Sequence, residues 1–436
     1  MKQYESQFKK LTEVGSVNRG KSKHRPRNAP ELYGGPYPFI QTGDVKHANF
    51  FITDYTQTYS ERGLAQSKLW QPGTLCITIA ANIADTAILK IPACFPDSII
   101  GFIPKKGESD VRFTKYCLDT YKTQLQLISQ GTTQDNLSQG KLLSLRFRIP
   151  EYDQQRQIAA ILSAYDELIE NNQRRIALLE KMAEEIYREW FVRLRFPGYE
   201  KVKFVKGVPE GWQVKQFHEI VEYYIGGGWG EDNQSTTFSE AAFVIRGTDI
   251  PDIQVGEFEG CPYRFHKPSN LKSRTLQSGD FVFEVSGGSK DQLLGRNTFI
   301  TERLLKYFNA PVIAASFCKQ IRFRRELVSP YFMKYFMKLY YDYDLVGIYQ
   351  IQSTGISNYQ FESFLKYQTI ILPPDELQKK FEDIVKPIIE IRDSISLANI
   401  ELRRTRDLLL PRLISGKLSV ENLDIQFPPS MAEERL

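Results

Sequence analysis

Two stretches of the chain carry apolar residues in alternating steps of four and three. The first runs through Ile158, Leu162, Tyr165, Ile169, Asn172, Ile176, Leu179, Ala183, Ile186 and Trp190, with Glu, Arg, Gln and Lys between them. The second runs through Phe381, Ile384, Ile388, Ile391, Ile395, Ala398, Leu402, Thr405 and Leu409. That spacing is the seam of a coiled coil, so it predicts two long helices that are natural partners. Both follow a proline-containing acidic segment, IPEYD and LPPDE, which suits a helix N-terminus, and Pro387 predicts a kink in the second helix. Asn172 is the single polar residue of the first seam; it either sets register against a polar partner or is a tolerated flaw. Elsewhere the period shortens. LRFRIP and IRFRRE alternate apolar residues with arginine, as strands do, and Phe332, Tyr335, Phe336, Leu339 and Tyr343 recur at helical spacing, most simply as a core stripe.

The same signposts occur twice, in the same order. FIQTGDV (39–45) maps onto VIRGTDI (244–250), and LWQPGTLCITIA maps onto LQSGDFVFEVSG with Gly73 on Gly279, an offset of 206. QGTTQDNL maps onto QSTGISNY with Asn136 on Asn358, an offset of 222, and RIPEYDQQRQI onto ILPPDELQKKF with Pro150 on Pro373, an offset of 223. The pattern is a diverged tandem repeat whose second copy carries about 16 extra residues between Gly279 and Asn358. Each copy is a strand-rich globule followed by a long helix. The expected segments are a first globule 1–150, a central helix 151–195, a second globule 196–372 and a distal helix with tail 373–436.

Composition adds limits. A length of 436 residues with 42% hydrophobic, 13% aromatic and 25% charged residues suits a globular protein with more than one core. The net charge of +5 is compatible with a polyanionic partner without requiring one. Five scattered cysteines, Cys76, Cys94, Cys117, Cys261 and Cys318, form no C-x-x-C pair, which suggests neither a disulfide framework nor a zinc knuckle. No apolar run reaches the ~18 residues of a membrane span, and the expectation is a cytoplasmic protein.

Charge placement is more informative than its sum. Arg19, Lys21, Lys23, Arg25 and Arg27 fall at every second position with His24 among them and no acidic residue. Pro26 and Pro30 exclude a helix, so an extended loop could aim all five at phosphates; a solvated loop is the plainer reading. The second globule has a less regular set: Arg246, Arg264, His266, Lys267, Lys272, Arg274, Lys290 and Arg296. Candidate base readers are Gln130, Thr132, Thr133, Gln134 and Asn136, with counterparts Gln352, Ser353, Thr354 and Asn358; their recurrence equally fits a shared structural turn. Enzyme motifs fail on context. Gly15, Gly20, Lys21 and Ser22 spell a phosphate-binding loop, but HRPRNAP behind them cannot open a helix, and the second copy reads IGGGWG. There is no Asn/Asp-Pro-Pro-aromatic tetrad of a methyltransferase. Pro96-Asp97 and Pro251-Asp252 lack the acidic-x-Lys partner of a nuclease, and His24, His47, His218 and His266 have no ligand spacing and read as surface or loop residues.

The segment from Gln157 to Phe191, the closing LLLPRLISGKL and the spacing between repeats resemble the specificity (S) subunit of type I restriction-modification systems. That resemblance covers nearly the whole chain. It implies an α+β fold in which two strand-rich target recognition domains, related by a pseudo-twofold internal repeat, are separated by two long antiparallel coiled-coil helices. It implies double-stranded DNA as a partner, with each globule reading one half of a split asymmetric site. It further implies two modification subunits and additional restriction (translocase/nuclease) subunits, with S-adenosylmethionine, ATP and Mg needed by those partners and no cofactor or metal in this chain. A helix from Ile158 to Trp190 is about 50 Å long, against ~34 Å for a turn of DNA, so the helices would serve as a ruler. Leu178, Met182, Trp190 and Phe191 are the expected docking residues, although Trp190 would also close the helix seam. The rival reading is a coiled-coil scaffold whose globules bind proteins.

Overall fold

In a computed structural model the chain is described over residues 7–130, 137–287, 292–352 and 357–432. Contacts divide it into two units, residues 1–170 with 401–436, and residues 171–400. Two helices dominate the secondary structure: Tyr152–Tyr187, extended by a π-turn over Arg188–Val192, and Asp375–Ile414, which runs through Pro387 without a break.

In the first unit a five-stranded sheet has the order Gly15–Arg19, Ile99–Pro104, Leu75–Thr78, Thr86–Leu89, Phe51–Ile52. Its pairs are antiparallel except the last, Phe51–Ile52 with Thr86–Leu89. Leu75, Ile77, Ile100 and Phe102 are buried against Ile158 and Leu162 of the central helix and Leu413 of the distal one, so alternating strand residues and a helix seam meet in one core. In the second unit a four-stranded antiparallel sheet has the order Val221–Gly226, Cys318–Phe323, Phe281–Glu284, Asn297–Phe299. Its core gathers Phe281, Phe283, Phe323, Phe332 and Tyr335 with Ala183, Phe381, Val385 and Ile389 of the long helices. Within the helix Pro330–Asp342, Phe332, Tyr335 and Leu339 are buried as the aromatic stripe predicts, while Tyr343 just beyond it is exposed.

The repeat persists at the level of single hydrogen bonds. In the first unit the buried Gln155 side chain donates to Glu108 O and Pro150 O, both at 2.9 Å, and accepts from Asp110 N–H at 3.0 Å. In the second, Gln378 donates to Leu327 O (3.3 Å) and Pro373 O (2.9 Å) and accepts from Ser329 N–H at 2.8 Å. Asp110 and Ser329 in turn cap the helices Val111–Thr120 and Pro330–Asp342. Each glutamine therefore pins a long helix to its globule. Most of the extra length of the second copy lies between Phe281–Glu284 and Cys318–Phe323, where the helix Glu302–Phe308 has no counterpart between Thr78 and Ile99.

The two seams fare differently. Ile158, Leu162, Ile169, Asn172, Ile176 and Ala183 are buried as predicted. In the distal helix Phe381 and Ile395 are buried as predicted, Ile384, Ile391 and Ala398 are exposed, and Val385, Ile389, Arg392, Asp393, Ser396, Asn399 and Ile400 are buried beside them. Four polar residues hold seam positions there, and a search for apolar spacing slips by one. The reason is visible in their partners. Asn172 Nδ2 donates to Asn399 Oδ1 at 2.8 Å, so the lone polar residue of the first seam does meet a polar group. Glu180 accepts from Arg392 at 2.5 Å and Lys334 at 2.8 Å. As the central helix advances from 172 to 180 its partners fall from 399 to 392, so the two helices run antiparallel in this unit.

Candidate nucleic-acid interface

The basic loop follows the edge strand Gly15–Arg19 and continues to the turn at Pro30–Leu32. All five cationic side chains are exposed, but the loop is not a straight ribbon. Its main chain is fastened by Gly20 N–H to Ile99 O (2.9 Å) and Lys21 N–H to Phe95 O (3.0 Å). Gln66 Oε1 accepts from both Lys23 N–H (2.5 Å) and His24 N–H (3.0 Å). Arg25 folds back onto Ser22 O and His24 O, and Arg27 pairs with the Asp97 carboxylate at 2.9 Å, whose main-chain oxygen accepts from Arg19 Nε. Arg19, Arg25 and Arg27 are thus engaged, and among the described residues the Lys21 and Lys23 side chains meet neither a hydrogen-bond partner nor a carboxylate, so they are the two cations most open to an external anion. No helix opens behind Ser22, which is buried, so the geometry of a phosphate-binding nucleotide loop is not formed there.

The second globule holds its arginines internally. Arg246 forms a bidentate pair with Asp249 (2.6 to 3.1 Å) and donates to Gly260 O. Arg296 forms a bidentate pair with the buried Glu284 (2.7 and 2.8 Å). Arg264 is buried, donates to Trp229 O at 2.8 Å, ion-pairs with Asp232 and lies 4.3 Å from the Trp229 ring centre. Arg274 donates to Gly226 O at 2.9 Å. Lys272 is exposed on the helix Pro268–Arg274, and Lys267 lies over Phe238. His266 is not a surface residue: it is fully buried in the strand Tyr263–His266, where burial and the Arg264 charge lower its pKa and keep the ring neutral. Charge counting along the sequence could not separate Arg264, Arg274 and Arg296 from free arginines, because the groups that hold them come from other strands and turns.

Of the amide and hydroxyl candidates, Thr132, Thr133, Gln134, Asn136, Ser353 and Thr354 lie outside the described residues, as does Lys290. Gln130 ends the helix Lys122–Gln130, and Gln352 ends the strand Gln350–Gln352 and pairs with Ser357. Asn358 accepts a hydrogen bond from Ser286 at 3.0 Å. Among the described residues no three His, Cys, Asp or Glu side chains gather as a metal site, and no helix is long and apolar enough to cross a membrane. All five cysteines are buried and unbridged.

Residues 3–181 match the family described as the type I restriction modification DNA specificity domain. That match covers the first globule and most of the central helix. The whole chain is similar to the type I restriction enzyme MjaIX specificity subunit of Methanocaldococcus jannaschii, at 25% identity over 431 residues, 95% of this chain and 94% of that protein. It is also similar to the MjaVIII specificity subunit of the same organism, at 23% identity over 71% of this chain and 70% of that one. The fold is that of the type I restriction-modification S subunit from M. genitalium, with a TM-score of 0.56 at 14% identity over 94% of this chain and 96% of that one.

In this relative of the type I specificity subunits, the expected docking residues divide into two kinds. Leu178 and Met182 stand 60% and 55% exposed on the central helix. Trp190 and Phe191 instead pack into the second unit's core, with Phe191 5.1 Å from Phe381 and 4.9 Å from Phe332, and Trp190 6.1 Å from Phe381, ring to ring. Phe191 closes the helix onto its globule, while Trp190 lies against Phe381 of the distal helix, where it would close the helix seam. Phe191 also borders an apolar cavity of about 530 Å³ with Trp212, Tyr343 and Leu345.

Proposed function

We propose that this chain is the non-catalytic, DNA-binding subunit of a type I restriction-modification complex. Each globule reads one half of a bipartite, asymmetric site, and the long helices hold the modification subunits, with the restriction subunits joining that complex. The four segments 1–150, 151–195, 196–372 and 373–436 are its recognition and spacing parts. S-adenosylmethionine, ATP and Mg belong to the partners. The observation that carries the reading is the exposed cationic loop at residues 19–27, on an edge strand inside residues 3–181 that match a DNA specificity domain. Exposed, unpaired lysines there suit phosphate contacts, which position a protein on DNA without reading sequence.

The test is to co-express the chain with the methyltransferase encoded beside it and map methylated adenines across the host genome. The expected result is one split motif with two unlike halves, together with DNA affinity that falls steeply with salt. An assembled complex that yields no new motif and binds DNA no better at low salt would overturn the reading in favour of a protein-binding scaffold.

A further inference from the structure

The edge strands of the two sheets, Gly15–Arg19 and Val221–Gly226, end in the same way. Gly227 N–H donates to Cys318 O and Gly228 N–H to Ala314 O, both at 2.9 Å, repeating the bonds of Gly20 and Lys21 to Ile99 O and Phe95 O. Both glycines are required by close approach: an added Cβ would lie 2.2 Å from Pro96 O at Gly20 and 2.2 Å from Ala314 O at Gly227. The main chain therefore launches a loop from an equivalent place in each repeat, and only the side chains differ. The first loop carries Lys21, Lys23, Arg25 and Arg27; the second, GGWGED, carries Trp229. The same alignment sets Ser316 against Asp97, which receives Arg19 and Arg27, and Phe317 against Ser98.

Trp229 is held yet open. The Arg264 guanidinium stacks on its ring and donates to its main-chain oxygen, while the side chain remains part of a residue 41% exposed. Together with Phe317, which is 63% exposed, it borders a cavity of about 670 Å³ whose other walls include the hydroxyls of Thr248 and Ser316. The two guanidinium groups at this cavity, Arg246 and Arg296, are neutralised by Asp249 and Glu284. Among the described residues the cations of this hollow are all ion-paired and the remaining walls are aromatic and hydroxyl-bearing, which does not suit phosphate. The hollow suits a base edge with an apolar group, and in the major groove that group is the thymine methyl.

Resting on the reading of the chain as a DNA specificity subunit, we propose that the Trp229–Phe317 cavity determines specificity in the second half-site by accepting a thymine methyl. Thr248 and Ser316 would supply hydrogen bonds to the neighbouring base edge, and the equivalent loop of the first globule grips phosphates through Lys21 and Lys23. The two repeats thus use one launching point for two kinds of contact.

The experiment is adenine-methylation mapping of the co-expressed complex carrying Phe317→Ala, Trp229→Ala or Trp229→Phe, with assembly checked by size-exclusion chromatography. Phe317→Ala, at an exposed position, guards against a folding failure of the tryptophan variants. The expected result is an assembled complex in which one half of the motif loses discrimination at a thymine position by about tenfold or more, the other half is unchanged, and Trp229→Phe retains part of the preference. Lys21→Ala with Lys23→Ala should keep the motif while lowering affinity and flattening the salt slope by about 2. Unchanged stringency in both halves with Phe317→Ala and Trp229→Ala would overturn the proposal. So would relaxation of both halves, or a wild-type motif with no thymine contact position in either half. Failure of the underlying reading looks different: the assembled wild-type complex itself would give no motif.

Discussion

The two globules share a scaffold and differ in what hangs from it. The Gln155 and Gln378 pins, the capped helices behind them and the glycine approaches at Gly20 and Gly227 recur nearly bond for bond. The loops that follow those glycines share no chemistry: one is cationic and exposed, the other aromatic with its nearby arginines neutralised. Ladder and pin positions are fixed because each buried polar group needs its partner. A loop beyond the last ladder bond carries no such demand, so repeated sequence can diverge there without loss of fold.

The helices offer a second contrast. In both units a tyrosine hydroxyl and a distal-helix arginine converge on a carboxylate of the central helix: Tyr116 and Arg406 on Asp166, and Tyr335 and Arg392 on Glu180. The second set adds Lys334 and Asp393, and its arginine is the more deeply buried of the two. Burial alone would raise the Glu180 carboxyl, but the Lys334 and Arg392 charges outweigh it and hold the pKa at about 2. Glu180→Gln should therefore be the most damaging change, costing the second unit about 3–5 kcal/mol in denaturant unfolding because Lys334 loses its carboxylate partner and the buried Arg392 is left with Asp393 alone. The sign with pH follows. A lowered carboxyl pKa gives stability that is full above the ordinary carboxylate range and is lost as pH falls towards 2, and the variant should lack that acid limb. Asp166→Asn, with fewer ionic neighbours, should cost less; an equal loss would erase the contrast between the units.

The next expectation concerns the launching points. Gly20→Ala and Gly227→Ala should each cost about 3 kcal/mol by overpacking against main-chain oxygens, measured as shifts in the two unfolding transitions. A large effect at one glycine only would break their equivalence. Gln155→Ala and Gln378→Ala should each cost about 2 kcal/mol, since both leave buried carbonyl and amide groups unsatisfied. Values that match within error would sharpen the correspondence of the pins. The smallest effect on folding is expected for Leu178→Ala with Met182→Ala, within about 0.5 kcal/mol. Co-purification with the methyltransferase should nevertheless fall if these exposed residues dock it, and undiminished co-purification would remove them from the interface.

Much of this was legible in one dimension. The tandem repeat, both long helices and the seam from Ile158 to Ala183 follow from spacing, because helical period and covalent order survive folding unchanged, whereas the polar partner of Asn172 came only with the structure. The cationic alternation at 19–27 was equally plain and does mark an exposed loop. Other features depended on partners distant along the chain. Phe381 and Ile395 of the distal seam were legible, but its positions 384, 391 and 398 were misplaced by one because Arg392, Asp393, Ser396 and Asn399 are buried through pairing, and pairing leaves no mark on local hydropathy. Arg264 and Arg296 looked available until Asp232 and Glu284 closed on them, and His266 looked exposed until it proved buried. Sequence by itself determined the repeat, the helices and where charge accumulates. The tertiary structure alone decided which charges are free, which aromatic side chains remain exposed at a cavity and which glycines are irreplaceable, since each depends on the distance between atoms far apart along the chain.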